Sequence, residues 1–332
     1  MEARRLPDTV PAFDPEAFDR QFTYRFSARV GKVLTALFRL KVEGLEHLDF
    51  TRPALLVANH NIGCWGILDV LAIYYTWYCL QPSPPDLVTQ GEKLVLNAPC
   101  LGHTARRIGI ALASLEGMRA PLCQGRWIFT TPGALVDQFR PFWLRKSVRL
   151  QKVAWLNGRP VFSEQLGYAR VAAEGGYPIY PVAISGTYGM SPVLWESPQL
   201  LRWLGLHRLR REENWPSFPI TLNHVINLLV FLCTPFAASL WAWIIFLLAN
   251  VYIDFVFLYP LFPCQIKLSV GQPVKVSKVA LQSTSSGARY QLYRSVHAQV
   301  VASINGMLHD LDETYPWKRL WRRLRHRLSG SQ

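Results

Sequence analysis

The stretch ALLVANHNIGCWGILDVLAI, residues 54–73, decides the predicted fold of this chain. Its first five residues are apolar and have the length and composition of a strand that is buried on both faces. Asn59 and His60 follow at once, and two glycines precede a second apolar run that has helical spacing. We therefore predict a strand, a turn and a helix, with His60 at the carboxyl end of the strand. Open α/β sheets bind their ligands at that edge.

The same alternation of strands and helices continues along the chain. Further apolar runs that end at turn residues predict strands at 127–129, 179–184 and 266–270. Helices are predicted near residues 67–79, 116–124 and 164–175. This alternation is typical of an α/β fold with a largely parallel central sheet flanked by helices. We expect one such domain, formed by residues 45–217 and 263–310.

His60 and Asp69 carry the candidate chemistry, and Asp69 is the first carboxylate after His60. A neutral imidazole accepts a proton from an alcohol at neutral pH, and a carboxylate on its other ring nitrogen orients it. If the alcohol belongs to the substrate, no nucleophilic side chain is needed. The predicted reaction is then direct transfer of an acyl group from a thioester to a hydroxyl. The alternative is a buried pair that serves only packing.

Several other enzyme classes lack their signatures in this sequence. It contains no Gly-x-Ser-x-Gly, Gly-x-Gly-x-x-Gly or His-Glu-x-x-His motif and no P-loop. The spacings of its six cysteines match no metal site. We expect neither a metal ion nor a cofactor.

Composition favours a lipid surface over nucleic acid as the partner. Half of the residues are hydrophobic, only 17% are charged, and 12 are tryptophan, which suits the boundary between membrane and water. The formal net charge of +14 suits an anionic surface. We expect a membrane protein whose domain faces the cytoplasm, at the endoplasmic reticulum in a eukaryote or at the inner membrane in a bacterium.

Residues 218–262 form the predicted membrane insert. Between residues 225 and 259 the only charged side chain is Asp254. The segments on both sides are predicted to belong to one sheet, so the chain must return to the side from which it left. Two crossings need about 20 residues each, more than this span contains. We therefore predict a helical hairpin that turns near Pro235 and is embedded in one leaflet.

The two ends of the chain carry different expectations. Residues 1–18 predict a loose segment with no secretory signal. Residues 19–44 predict a basic amphipathic helix that either packs on the domain or lies on anionic lipid. Residues 311–332 predict a basic amphipathic tail, which we interpret as a membrane-surface anchor. The alternative for that tail is a solvated or nucleic-acid-binding segment.

Four blocks of the sequence resemble the lysophospholipid and glycerol acyltransferase superfamily. They lie at residues 59–69, 109–113, 129–137, and 167–170 with 177–182. The resemblance covers residues 20–310 apart from the apolar insert. It implies an acyltransferase with His60 as the general base and Asp69 as the residue that orients it. It also implies acyl-CoA or an acyl carrier protein as the co-substrate.

The resemblance also implies a set of substrate-binding residues. They are Asn59, Pro132, Gly133, Ala134, Asp137 and Arg140. Residues 132–134 either form an ordinary turn or offer backbone N–H groups to the acceptor or to an oxyanion. A basic run follows and is either solvated or faces the phosphates of the acyl donor. Its members are Arg140, Arg145, Lys146, Arg149 and Lys152.

Departures from the superfamily pattern bear on the acceptor. Eight residues separate His60 from Asp69, where the usual block has four. Ser114 stands where the second block usually ends in an arginine associated with an acceptor phosphate. Residues 132–137 resemble the Pro-Gly-Gly-x-x-Glu form of the diacylglycerol-acyltransferase-like branch.

These departures favour a neutral mono- or diacylglycerol as the acceptor. The alternative acceptor is a lysophospholipid of the 1-acylglycerol-3-phosphate type. A third hypothesis is a catalytically inactive lipid-binding or scaffold protein. That hypothesis would follow if the longer spacing kept Asp69 away from His60.

Overall fold

A seven-stranded sheet lies at the centre of the computed structural model, which describes residues 12–61, 67–98, 101–209, 215–252, 264–276 and 285–311. The strands within these ranges are β1 (Lys41–Glu43), β2 (Leu55–Ala58), β3 (Leu87–Gly91), β4 (Ile110–Leu112), β5 (Trp127–Thr130), β6 (Gln151–Leu156), β7 (Arg159–Glu164), β8 (Ile179–Ser185), β9 (Val193–Ser197), β10 (Phe218–Thr221) and β11 (Lys267–Val270). The α-helices within them are α1 (Arg20–Phe38), α2 (Ile67–Leu80), α3 (Lys93–Asn97), α4 (Leu101–Arg107), α5 (Leu115–Cys123), α6 (Ala134–Gln138), α7 (Gly167–Gly175), α8 (Pro198–Trp203), α9 (Leu206–Leu209), α10 (Leu222–Leu232), α11 (Leu240–Tyr252) and α12 (Ser286–Asp310).

The strands of the large sheet follow the order β1-β11-β8-β2-β5-β3-β4. The five strands from β8 to β4 in this order are parallel to one another. β11 runs antiparallel to β8, and β1 runs parallel to β11. The predicted α/β fold with a mostly parallel sheet is therefore confirmed. Because parallel strands end at one edge of a sheet, the residues that follow β2, β5 and β8 lie near one another.

Helices cover both faces of this sheet. α1 and α2 pack over one face, in a cluster that includes Leu56 and Phe129. α5, α7 and α12 pack over the other face, in a cluster that includes Leu55 and Ile128. All four residues of β2 are buried, which explains why its sequence is apolar without alternation.

A third hydrophobic cluster lies beside the large sheet. It joins Leu135 and Phe139, from α6 and the residue after it, to Trp215 and to Phe218 of β10. β10 pairs antiparallel with β9, and β6 pairs antiparallel with β7. The predicted boundary between domain and insert at residue 218 is therefore wrong, since residues 218–221 are a strand of the domain.

The N-terminal helix is shorter than the predicted 19–44 segment. It begins after Asp19, whose carboxylate accepts a hydrogen bond from the Phe22 N–H, and it ends at Phe38. Arg39 adopts a left-handed conformation, with φ of 44°, and β1 follows. One side of α1 packs on the domain, where Gly31 leaves no room for a Cβ beside the Tyr75 ring. Of the two expectations for this helix, packing on the domain is the one that the structure displays.

The segment before α1 is attached to the domain. The carbonyl of Ala12 accepts a hydrogen bond from the Leu112 N–H at 2.9 Å. The guanidinium of Arg126 lies over the rings of Phe13 and Phe18, at 5.0 and 5.1 Å from their centroids. The predicted loose segment is therefore wrong for residues 12–18, and residues 1–11 lie outside the described ranges.

Up to residue 252, where its described part ends, the apolar insert contains two helices, α10 and α11, joined by a 3-10 turn at Pro235–Ala238. The helices pack on each other, with the Phe231 ring 4.4 Å from that of Phe246 and 4.8 Å from that of Trp243. Within the described ranges, no helix combines the length and the apolar character that crossing a bilayer requires. Asp254 and the predicted tail after Leu311 lie outside those ranges.

Candidate active site

His60 and Asp69 meet at the carboxyl edge of the sheet. His60 follows β2, and Asp69 belongs to the first turn of α2. His60 Nδ1 lies 3.2 Å from Asp69 Oδ2, although eight residues separate the two in sequence. The imidazole is 13% exposed and the carboxylate is fully buried. An ionised carboxylate can only accept a hydrogen bond, so Nδ1 carries the hydrogen and Nε2 of the neutral ring is the proton acceptor.

Two further donors hold the Asp69 carboxylate. The Asn61 N–H donates to Oδ2 at 2.8 Å, and the Thr187 hydroxyl donates to Oδ1 at 2.8 Å. The Asn61 side-chain amide donates to Thr187 Oγ1 at 2.8 Å, which directs the hydroxyl hydrogen of Thr187 toward Asp69. Asn61 and Thr187 are both buried. Asp69 is therefore fixed by three donors, and it fixes the imidazole in turn.

Thr187 was not among the residues predicted from the sequence. It lies just after β8, which pairs directly with β2 in the parallel register Ala58↔Val182. Gly186 has φ of 95° and precedes it, and the carbonyl of Gln265 would lie only 2.0 Å from a Cβ at Gly186. The same strand-edge rule that singles out His60 would have identified Thr187, had the pairing of β8 with β2 been known.

Asn59 does not line the site. It is fully buried, and its amide bridges the end of β2 to β8. Its Nδ2 donates to the Ile184 carbonyl at 2.9 Å, and its Oδ1 accepts from the Ile184 N–H at 2.8 Å. The prediction of Asn59 as a substrate-binding residue is therefore corrected, because both ends of its amide are used within the fold.

The turn after β5 carries Pro132, Gly133 and Ala134. Pro132 has no N–H, and the Ala134 N–H donates to the Thr131 carbonyl at 3.0 Å. Ala134 itself is in the left-handed region, with φ of 36°. Two of the three residues therefore offer no free N–H to the predicted cradle. Gly133 leaves the space that the Asp137 carboxylate occupies, because Asp137 Oδ2 lies 1.9 Å from where a Cβ of Gly133 would be.

Asp137 and Arg140 form a buried pair beside this turn. Arg140 Nε lies 3.6 Å from Asp137 Oδ1 and donates to the Asp137 carbonyl at 3.0 Å. Burial raises the pKa of Asp137, and the charge of Arg140 and the backbone N–H groups of Arg149 and Leu150 oppose that rise. Arg140 Nη2 has no hydrogen-bond partner among the described residues and keeps donor capacity for a ligand group.

Tyr188 links the Asp137–Arg140 pair to Thr187, the residue whose hydroxyl donates to Asp69. It directly follows Thr187 and is buried. Its hydroxyl lies within hydrogen-bond distance of the carbonyl oxygens of Asp137, Gln138 and Arg140, at 3.0, 2.9 and 2.5 Å. Adjacent residues after β8 therefore position both the His60–Asp69 pair and the Asp137–Arg140 pair.

The predicted basic run does not form one phosphate-facing surface. Lys146 Nζ donates to the carbonyls of His309 and Leu311, so it caps the end of α12. Arg145 donates to the Phe142 carbonyl and stacks on the Phe142 ring. Arg149 and Lys152 are exposed.

The relatives of this chain among curated proteins have no assigned function. No protein-family model matches it. Uncharacterized proteins of Mycobacterium bovis and Mycobacterium tuberculosis are 28% identical to it over 186 residues, and one of Mycobacterium leprae is 27% identical. The matched region is 55% of this chain, and it covers 45% of the length of the first two relatives.

Among solved structures, the chain is similar to the 1-acyl-sn-glycerophosphate acyltransferase PlsC of Thermotoga maritima. The similarity covers 85% of this chain and 79% of that chain, with a TM-score of 0.41 and 15% sequence identity. Agreement at this level transfers neither fold detail nor function from one protein to the other.

Proposed function

We propose that this protein is an O-acyltransferase that moves a fatty acyl group from a thioester to a hydroxyl of a membrane glycerolipid. The observation that carries the proposal is the contact between His60 Nδ1 and Asp69 Oδ2. It leaves Nε2 as a proton acceptor on an imidazole that is oriented by a triply held carboxylate.

The reaction needs no covalent intermediate on the protein. His60 Nε2 takes the proton of the acceptor hydroxyl while the hydroxyl oxygen attacks the thioester carbonyl carbon. The C–S bond then breaks, and His60 returns the proton to the departing thiolate. The ester and the free thiol of the acyl-CoA or acyl carrier are the products. Asp69 stabilises the imidazolium that exists between the two proton transfers.

Two classes of acceptor fit the Asp137–Arg140 pair. A neutral mono- or diacylglycerol is favoured by the Asp137 carboxylate, which offsets the Arg140 charge at 3.6 Å and would repel a phosphate. A lysophospholipid is favoured by Arg140 Nη2, a buried donor that lacks a protein acceptor among the described residues. Measuring acyl transfer to acceptors of both classes decides between them.

The test uses the purified full chain, labelled acyl-CoA, and mono-acylglycerol, diacylglycerol or lysophosphatidic acid in mixed micelles. Lipid products are separated by thin-layer chromatography. The His60→Ala variant should lose about 10²- to 10⁴-fold in rate, the usual contribution of a general base. Asp69→Asn should also lose most activity, because the amide favours the wrong imidazole tautomer.

His309→Ala is the matched control, since His309 is an exposed histidine at the end of α12. It should retain wild-type turnover, and thermal unfolding should show that His60→Ala folds normally. Wild-type turnover by His60→Ala would refute the mechanism. A wild-type chain that acylates none of the acceptors would instead favour a lipid-binding or scaffold protein.

A further inference from the structure

The hairpin formed by α10, the Pro235–Ala238 turn and α11 has an apolar outer surface. Residues 222–252 contain no Asp, Glu, Lys or Arg. The large apolar side chains that face outward include Leu229 (57% exposed), Phe236 (66%), Trp241 (74%) and Ile245 (67%). An apolar surface of this extent marks an interaction site in a folded protein.

Several polar side chains of the hairpin form hydrogen bonds within it. Asn227 Nδ2 donates to Asn250 Oδ1 at 3.2 Å, and Asn250 Nδ2 donates to the Phe246 carbonyl at 2.8 Å. Near the turn, Trp243 Nε1 donates to the Ala237 carbonyl, and Thr234 Oγ1 donates to the Phe231 carbonyl. Internal bonding of this kind is what a hydrocarbon environment requires, because no water is present there to satisfy a polar group.

The base of the hairpin is polar and fixed to the domain. Thr221 and His224 form the capping box that begins α10, and His224 Nε2 donates to the Asn250 carbonyl at 3.2 Å. Burial lowers the pKa of His224 to about 4, so the imidazole is neutral at pH 7. Val251 packs on the cluster that contains Leu135 and Phe139. These two residues flank Asp137 in the sequence.

The lengths of the two helices match half of a bilayer. α10 has 11 residues and α11 has 13. At 1.5 Å per residue they are about 17 and 20 Å long. The hydrocarbon core of a bilayer is about 30 Å thick, so one leaflet supplies about 15 Å.

We infer that this hairpin inserts into a single leaflet, with Phe236 near the bilayer midplane and His224 at the level of the headgroups. The partner is the hydrocarbon of an ordinary glycerophospholipid bilayer and needs no charged lipid. Because the hairpin is attached beside α6, insertion holds the Asp137–Arg140 pair near the leaflet that supplies a glycerolipid acceptor. The anchor itself does not depend on the proposed chemistry.

Two native cysteines allow a test on the unmodified full chain. Cys233 is exposed and lies next to the turn, whereas Cys123 is exposed at the end of α5. A membrane-impermeant maleimide is added to the protein with and without phosphatidylcholine vesicles, and labelling of each cysteine is read by peptide mass spectrometry. Vesicles should protect Cys233 strongly and leave Cys123 labelling unchanged. Equal labelling of Cys233 in both samples would overturn the inference.

Two further arms separate insertion from other arrangements. Reagent trapped inside sealed vesicles should not reach Cys233, and labelling from inside would mean that the hairpin crosses the bilayer. Protection of Cys233 that grows with protein concentration in the absence of vesicles would mean that a second copy of the chain covers this surface. Either result would overturn single-leaflet insertion.

A substitution provides an independent measurement. Trp241→Glu combined with Ile245→Glu places two carboxylates on the exposed surface of α11 and should weaken vesicle binding at least about 10-fold, since charge in hydrocarbon is costly. Tyr290→Glu, at a half-exposed aromatic of α12, is the control and should bind as the wild type does. Unchanged binding by the α11 variant would refute the inference, whether or not the protein has acyltransferase activity.

Discussion

Replacing Thr187 with valine tests whether the buried network behind Asp69 positions the imidazole. Valine keeps the shape of threonine and removes one hydroxyl. The change deletes the 2.8 Å hydrogen bond to Asp69 Oδ1 and the acceptor of the Asn61 amide, which keeps its 3.0 Å bond to the Ile184 carbonyl. A hydrogen bond to a charged group contributes about 1.5–3 kcal/mol, so the free energy of unfolding should fall by about that amount.

The kinetic effect of Thr187→Val should differ from that of a lost substrate contact. Thr187 is fully buried and positions Asp69, so kcat should fall by about 10- to 100-fold, equivalent to about 1.4–2.7 kcal/mol, while KM stays near the wild-type value. Thr187→Ser keeps the hydroxyl and should recover most of kcat. Steady-state acyl transfer and chemical denaturation measure both quantities. A raised KM with unchanged kcat, or a valine variant with wild-type kcat, would refute the positioning role.

Two other residues give predictions that do not depend on Thr187. Gly133→Ala should displace the Asp137 carboxylate, which lies 1.9 Å from the position of the new Cβ, and should reduce acyl transfer at least about 10-fold. Gly306→Ala, at a helical site of α12 with no atom within 4 Å of a Cβ, is the steric control. Wild-type activity in Gly133→Ala would mean that the Asp137 position is irrelevant to the reaction. Burial lowers the pKa of His297, whose Nδ1 lies 3.1 Å from the Tyr168 hydroxyl, below the ordinary histidine value of about 6.5. As the pH falls below about 6.5, His297 therefore binds a proton in the unfolded chain before it does so in the folded chain. The free energy of unfolding should decrease there by up to about 1.4 kcal/mol per pH unit for this group. Denaturation of the wild type and of His297→Gln between pH 7.5 and 5 checks this, and equal slopes for the two proteins would contradict it.

The fold was predictable from local patterns because the strands of the parallel core are short, apolar and followed by turn residues. β2, β5 and β8 were each located in this way. β1, Lys41–Glu43, has a weaker local pattern, because two of its three residues are charged and it contains no apolar run. Its position depends on pairing with β11, which lies far away in sequence.

The candidate site was predictable only in part. The position of His60 after a buried strand indicated the edge at which it lies, and the structure brings Asp69 to it despite the longer spacing. Asn59 looked functional for the same reason as His60, but successive residues after a strand point in different directions, and its amide points into the core. Thr187 could not be found because its role depends on the pairing of β2 with β8 and on a hydrogen bond between residues 118 positions apart.

The sheet order also fixes the sequence of events during synthesis of the chain. β11 lies between β1 and β8, yet it emerges from the ribosome after every other strand of the large sheet and after the hairpin. Until then β1 lacks its neighbour, and β8 presents an unpaired edge to solvent. Pairings so distant in sequence form slowly, because the loop must close first. The apolar helices α10 and α11 are therefore complete before the large sheet can close, so the inferred insertion of the hairpin can begin while the domain is still open along one edge.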